Sequence, residues 1–214
     1  MVLSYWNQDK SKLWIKCPKL PANSYSEYII EKGDVSVSKG DGDNTFEFFD
    51  DFEGSTLDAT KWSAQSGGDG SSISSSINTI TGSGTTTTKG IKTISYWGSG
   101  YATTSRHKPS TNTGVLWAGL MNSAQSKYCG FYTNLTPDGT QTRNTLDQNI
   151  TLSDFSTSNY ANYEIINNSA TNYIFKIDGT TVSTHASQVP TDNMYENIYV
   201  YNSSDTYTVD YVFV

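Results

Sequence analysis

The chain has 214 residues and a formal net charge of −7, and only 16% of its residues are charged. Its lysines and arginines form no cluster of the kind that binds a phosphate backbone, so we do not expect a nucleic-acid partner. It contains no apolar run long enough to span a membrane. The 15 tyrosines and the abundant Ser, Thr and Asn instead favour pleated, half-buried β-structure.

Residues 1–40 are predicted to be the remnant of an N-terminal β module. Lys12–Cys17 alternates apolar and polar residues, and Tyr25–Glu31 and Val35–Val37 have strand-like compositions. Three short strands are too few for an independent sandwich. We therefore expect this segment to pack on the domain that follows, which we place at residues 41–214.

The boundary stretch, residues 41–62, is rich in both carboxylates and phenylalanines. The sequence GDGDNT at residues 40–45 predicts a cluster of turns, and Phe46–Phe52 predicts the first strand of the second domain. Ser55 and Asp58 are plausible caps for a short helical turn before the chain reaches Trp62.

Strand-like segments alternate with turn signals through the rest of the chain. The Ser/Thr-rich stretch Gly67–Gly90 predicts β-hairpins joined by glycine turns, with disorder as the alternative. Gly114–Met121 and Lys127–Asn134 predict neighbouring core strands. Asp178-Gly179 is a strong signal for a type I′ hairpin turn. The fold class predicted is an all-β, antiparallel β-sandwich of the jelly-roll type.

The two cysteines, Cys17 and Cys129, match no metal-binding spacing. Two buried free thiols and a disulfide between them are both compatible with the sequence. A reactive thiol is disfavoured because no neighbouring residue would lower its pKa.

Several segments resemble the junction of DUF2341-type surface proteins, in which a β module passes into a concanavalin A-like, laminin G-like jelly roll. The resemblance is carried by LWIKCPKLPANS and GDGDNTFEFFDDFEGSTLDATKW, and downstream by IFKIDGTTVSTH and Val209–Val212. It extends over most of the chain, although the N-terminal part corresponds only to the end of a DUF2341 module.

The resemblance implies a lectin-like or adhesive role by analogy of fold. We therefore expect a non-catalytic carbohydrate-binding module of an extracellular, cell-surface or virion protein, with a glycan or polysaccharide as partner. The alternative is a structural module for capsid decoration, a tail fibre or a pilus-like assembly, which would self-associate or bind a neighbouring surface protein through free strand edges.

Concanavalin A-like modules often carry structural Ca²⁺ near their first and last strands, and the resemblance implies such a site here. Asp50, Asp51 and Asp210 are the candidate ligands, since Ca²⁺ prefers carboxylate oxygens. The alternative is that these carboxylates cap turns or face solvent. No other cofactor is implied.

Catalytic residues are not evident in the sequence. A glycosidase needs two carboxylates at one site, and the E-x-D-x-x-E or E-x-D-x-E pattern of jelly-roll glucanases is absent. His107 and His185 lie in no nucleophile motif and are expected at the surface or at a strand edge. We therefore expect that the protein is not an enzyme.

Aromatic residues are the candidates for sugar binding, because an exposed ring can stack on the apolar face of a sugar. Core packing is the alternative for each of them. We expect Trp97 to be the most exposed ring, beside a glycine-rich turn. The full set of candidate ligand-binding residues is Tyr96, Trp97, Tyr101, Arg106, Trp117 and Tyr132.

Overall fold

A computed structural model describes residues 5–8, 12–16, 40–111, 114–133, 138–145, 148–153, 155–168 and 171–214. The chain divides into two compact units, residues 1–50 and residues 51–214. The predicted strands at Tyr25–Glu31 and Val35–Val37, and Cys17, lie outside the described residues.

The first unit contains a two-stranded antiparallel sheet and one helical turn. Its elements are β1 (Tyr5–Gln8), β2 (Lys12–Ile15), α1 (Gly42–Thr45) and β3 (Phe49–Asp50). Asp41 caps α1, because its Oδ1 accepts a hydrogen bond from the Asn44 backbone N–H at 3.0 Å. The Phe46 ring stacks on Phe49 and meets Trp14 edge to face.

The expected first strand, Phe46–Phe52, is largely wrong. Bends occupy residues 46–48, and only Phe49–Asp50 is a strand. Phe52 has φ of 52°, a left-handed conformation that a regular strand does not allow. The turn cluster expected before it contains the helical turn α1.

The second unit consists of strands. They are β4 (Trp62–Ala64), β5 (Ser71–Ser74), β6 (Ile77–Thr81), β7 (Thr88–Thr93), β8 (Ala102–Pro109), β9 (Val115–Asn122), β10 (Tyr128–Tyr132), β11 (Gly139–Arg143), β12 (Gln148–Leu152), β13 (Ala161–Asn168), β14 (Asn172–Ile177), β15 (Thr180–His185), β16 (Met194–Tyr201) and β17 (Thr206–Phe213).

These strands form two antiparallel sheets. The front sheet has the order β12-β11-β10-β9-β16-β7-β4, and the back sheet has the order β15-β14-β13-β8-β17-β6-β5. Some neighbours follow one another in sequence and others come from distant parts of it, as does β16 between β9 and β7. The front sheet is the one that carries the candidate site.

The core lies between the two sheets. Its largest ring cluster surrounds Phe131 of β10, which meets Tyr163 and Phe175 of the back sheet edge to face at 4.9 Å and 5.5 Å. Leu120 and Cys129 of the front sheet pack into the same cluster. The predicted all-β antiparallel sandwich is therefore confirmed.

Several local predictions are also confirmed. β9 pairs with β10, and the Ser/Thr-rich stretch forms the β5–β6 hairpin rather than a disordered segment. Asp178 and Gly179 have φ of 48° and 78°, as a type I′ turn requires. Cys129 is a buried free thiol. Among the described residues, no helix is long and apolar enough to cross a membrane.

A candidate glycan-binding groove

The solvent-facing side of the front sheet carries a groove of about 480 Å³. Strand alternation places every second residue of β7, β16, β9, β10, β11 and β12 on this side, and the pairing register aligns them in rows across the strands. The central row runs through Gln141, Gly130, Gly119, Asn197 and Lys92. Two rows of larger side chains flank it.

Glycines form the middle of the groove floor. A Cβ on Gly130 would lie 2.6 Å from the Trp117 ring, and one on Gly119 would lie 2.4 Å from the Cys129 carbonyl oxygen. The missing side chains keep the floor low and let the Trp117 indole lie against the Gly130 backbone. The sequence signal for this floor is a single glycine inside each of two apolar strands.

Aromatic side chains make up one flanking row, with Trp117 at its centre. The Trp117 ring is near-parallel to Tyr199 at 6.2 Å and meets Tyr128 edge to face at 5.2 Å. Tyr132 lies on its other neighbouring strand, at 6.3 Å. The Trp117 Nε1–H is buried and has no hydrogen-bond partner among the described residues.

A chain of side-chain amides fixes the polar end of the groove. Gln125 donates to the Gln65 Oε1 at 3.4 Å, Gln65 donates to the Asn197 Oδ1, and the Asn197 amide contacts the Met121 sulfur at 2.9 Å. These amides orient one another across the sheet. Oriented amides beside aromatic rings are the polar and apolar halves of a small-molecule site.

Two phenol groups on the groove side of β16 are held in their neutral form. Burial raises the pKa of Tyr195, and burial with nearby phenols raises that of Tyr199. Both hydroxyls therefore keep their protons at neutral pH and can donate hydrogen bonds.

Carboxylates are absent from the described residues that line the groove, which are Gln65, Thr88, Val115, Trp117, Met121, Gln125, Tyr128, Tyr132, Gln141, Ile150, Asn197, Tyr199 and Tyr201. The nearest acidic residue on the central strands is Glu196 of β16, whose side chain is buried on the opposite side of the sheet. The described lining thus lacks the carboxylate pair that glycoside hydrolysis uses.

The predicted ligand-binding residues do not form one cluster. Trp117 and Tyr132 line the groove, whereas Trp97 and Tyr101 border a much smaller cavity beside Met194. Tyr96 is exposed and meets Tyr195 edge to face. The expectation of an exposed Trp97 ring is wrong: the residue is 8% exposed, because two backbone hydrogen bonds to Met194 hold it against the sheet.

Arg106 lies on the back sheet, away from the groove. Its guanidinium forms an ion pair with the Asp210 carboxylate and lies 5.0 Å from the Tyr160 ring centre. A Ca²⁺ ion at Asp210 would have to compete with the Arg106 guanidinium for the carboxylate. Among the described residues, no group of three or more His, Cys, Asp or Glu side chains could hold a metal ion.

Asp50 is buried in the first unit, and Asp51 is half-buried in the second. Calcium binding by Asp50, Asp51 and Asp210 stays a prediction. It is tested by calorimetric titration of Ca²⁺ into chelator-treated protein, and an unchanged heat and melting temperature would contradict it.

Both histidines are buried, against the expectation of surface positions, although His185 does lie on β15, an edge strand of the back sheet. His107 stacks on Tyr163 with ring centres 3.8 Å apart. The His185 ring nitrogens contact the hydroxyls of Thr142 and Thr151 at 3.0 Å and 2.9 Å. Both are interior residues that link strands, so neither lies in the groove.

Sequence reasoning missed the groove residues that β16 supplies. MYENIYVY places Tyr195, Asn197 and Tyr199 on one side of the strand and Met194, Glu196 and Ile198 on the other. This period-2 pattern was available in the sequence. Gln65 and Gln125 had no comparable signal, because both lie in loops, after β4 and after β9, and not within a strand.

A family model described as a domain of unknown function, DUF2341, matches residues 1–65. The predicted resemblance to DUF2341 is thereby confirmed for the N-terminal part of the chain. No curated protein shows significant similarity to the sequence.

Solved structures similar to this chain have the concanavalin A-like jelly roll of glycosyl hydrolase family 16. A family 16 protein from Mycobacterium smegmatis is 14% identical, with a TM-score of 0.62 over 78% of this chain and 99% of that chain. A β-1,3-1,4-glucanase from a mouse hindgut metagenome is 14% identical, with a TM-score of 0.60 over 77% and 96%.

A pseudo β-1,3-glucanase of Mycobacterium tuberculosis is 12% identical, with a TM-score of 0.61 over 78% of this chain and 97% of that chain. At such identities the likeness establishes the fold and leaves activity open. The predicted jelly-roll class is confirmed.

Proposed function

We propose that the protein is a non-catalytic carbohydrate-binding module that holds a polysaccharide in the front-sheet groove. The observation that carries the proposal is the groove itself, in which aromatic rings and oriented amides surround a glycine floor without a carboxylate among the described lining residues. We further propose that the module belongs to a cell-surface, extracellular or virion protein.

Each part of the groove has a role in this proposal. The rings of Tyr132 and Tyr199 offer apolar surfaces for sugar rings, and the buried Trp117 indole supports both of them from the sheet. The amides of Gln65, Gln125 and Asn197 offer donors and acceptors for hydroxyl groups. The groove is preformed because these side chains are already held by one another, which reduces the ordering cost of binding.

The solved relatives support the same proposal at the level of fold. Their names include glucanases and a porphyranase, which act on polysaccharides, and a pseudo-glucanase. Because a glycosidase mechanism requires an acid and a second carboxylate at the scissile bond, a groove without a carboxylate among its described lining residues supports binding without hydrolysis.

The test compares two tyrosine variants of the whole chain on a polysaccharide panel. Tyr132→Ala removes a half-buried ring from the groove, and Tyr160→Ala removes a half-buried ring beside Arg106 on the back sheet. We expect Tyr132→Ala to lower the affinity several-fold, since one aromatic contact contributes about 0.5–1.5 kcal/mol. Tyr160→Ala should bind like the unchanged protein.

Calorimetry measures the affinities, and a reducing-sugar assay on the same samples measures hydrolysis. Failure to bind any polysaccharide would overturn the proposal. Release of reducing sugar would replace it with a catalytic function.

A further inference from the structure

Two cationic side chains stand on the groove side of the front sheet. Lys92 lies on β7, next to Asn197 in the central row, and Arg143 lies on β11, next to Tyr128 in a flanking row. They are separated by four strand-to-strand steps, which corresponds to about 19 Å at about 4.8 Å per step. Both charges therefore stand beside the residues that line the groove, on the same side of the sheet and toward opposite edges of it.

Each cation lies over an aromatic ring, and the two rings belong to the same flanking row. The Lys92 Nζ is 5.5 Å from the centre of the Tyr195 ring, and the Arg143 guanidinium carbon is 5.8 Å from the centre of the Tyr128 ring. Contact with a ring face holds a long side chain in place without neutralising its charge. The Arg143 Nε also donates to the Thr145 carbonyl oxygen, which fixes the guanidinium further.

No carboxylate of the described residues forms an ion pair with either cation. Lys127 and Arg106 show the contrast, since Asp192 lies 2.8 Å from the Lys127 Nζ and Asp210 binds Arg106. No described strand residue facing the groove is acidic. The groove side is thus locally cationic in a chain whose net charge is −7.

We propose that the ligand is an anionic polysaccharide, whose carboxylate or sulfate groups pair with Lys92 and Arg143 while its sugar rings lie on the aromatic residues between them. This inference rests on the proposed function and names the substrate class for the same groove. The span between the charges requires a ligand of several sugar units.

The experiment uses two pairs of polysaccharides that differ in charge. Polygalacturonate is compared with its methyl ester, and dextran sulfate is compared with dextran, all at low salt. The double variant K92Q/R143Q removes both groove charges. The control is K108Q, because Lys108 also lies over a tyrosine ring, at 5.4 Å from Tyr160, but on the back sheet.

We expect the unchanged protein to prefer the charged member of at least one pair, which also shows whether carboxylate or sulfate is the better partner. The double variant should lose about fivefold in affinity for that member at low salt, as two half-exposed ion pairs would give. The loss should shrink at high salt, where the Debye length is only a few Å. K108Q should bind normally.

Equal binding of charged and neutral members, or an unchanged affinity in K92Q/R143Q, would overturn this inference and leave the proposed function standing. Failure of all four polysaccharides and of the wider panel would overturn the proposed function itself. Thermal melting of each variant checks that the fold is intact.

Discussion

The two sides of the front sheet differ sharply although the same strands build both. On β16, Asn197 and Tyr199 line the groove and Tyr195 lies on the same side of the strand, while Glu196 and Ile198 face the core. Among the described residues, the outward side therefore holds rings, amides and two cations without an ion pair, and the inward side holds the Glu196 carboxylate. An acidic residue on a central strand is not by itself a catalytic residue, because only a side chain on the groove side of the sheet can contact a bound ligand.

The contrast between the two sides of the sheet leads to a general expectation for substitutions. Changes on the inward side should alter stability and its pH dependence but leave ligand binding intact. Changes on the outward side should alter binding. The predictions below test that separation.

The largest effect is expected from Glu196→Gln. Burial raises the pKa of the Glu196 carboxyl to about 8, partly offset by the Thr103 hydroxyl. The folded protein therefore binds this proton more tightly than the unfolded chain does. Its contribution to stability is complete below about pH 4.5 and is lost as the pH rises through 8.

Glu196→Gln should consequently stabilise the protein by several kcal/mol at pH 9, since each pKa unit corresponds to about 1.4 kcal/mol. Urea unfolding at pH 5 and pH 9 measures this. The control is Glu164→Gln, at a half-buried position on β13 of the back sheet. This variant should change the stability little. A Glu196→Gln variant with altered polysaccharide affinity would break the separation of the two sides.

A smaller effect of opposite sign is expected from the histidines. Burial lowers the pKa of His185 to about 4 and lowers that of His107 well below its usual value. The unfolded chain then takes up these protons first, so stability is present above pH 6.5 and is lost as the pH falls towards 4.

Together with Glu196, the histidines predict a stability maximum near pH 6.5, because both histidine contributions grow up to that pH and only the loss from Glu196 continues above it. Proton NMR of the imidazoles measures the titration directly. An ordinary titration of either ring near pH 6.5 would contradict the burial of these side chains.

The smallest of these effects on stability is expected on the outward side, from Gly130→Ala. Its Cβ would lie 2.6 Å from the Trp117 ring, so Trp117 must shift, at a cost of about 1–3 kcal/mol for overpacking. Polysaccharide binding should fall in the same variant, because the ring moves into the groove. Gly98→Ala is the control, since its Cβ would meet only the Asn193 side chain, at 3.3 Å.

Calorimetry and thermal melting distinguish the two contributions. Unchanged binding in Gly130→Ala would mean that the ligand does not use the groove floor.

Local signals in the sequence were sufficient for much of the fold. A continuous apolar run predicted the core strand β9 and its neighbour β10, and Asp178-Gly179 predicted its hairpin, because apolar runs and turn chemistry are properties of a few adjacent residues. The strand predicted at Phe46–Phe52 was wrong for the same reason. Its apolar alternation is strand-like, but the positive φ of Phe52 depends on tertiary structure, which local sequence does not encode.

The site was harder to predict because its residues meet only after long-range pairing. Gln65 and Asn197 are 132 residues apart in sequence and hydrogen-bonded in the groove. Trp97 looked exposed beside its glycines, yet a pairing with Met194 buries it. Trp117 and Tyr132 were found because each lies on a strand whose aromatic residues alternate with core residues.

The hydroxyl cluster around His185 has a mechanical consequence for the groove. His185 belongs to the back sheet, whereas Thr142 and Thr151 belong to β11 and β12, which also carry Gln141 and Ile150 at one end of the groove. The His185 imidazole thus links the two sheets through hydrogen bonds at this end of the groove. Protonation would loosen that end first, and amide hydrogen exchange in β11 and β12 should rise at pH 4 before it rises in β9.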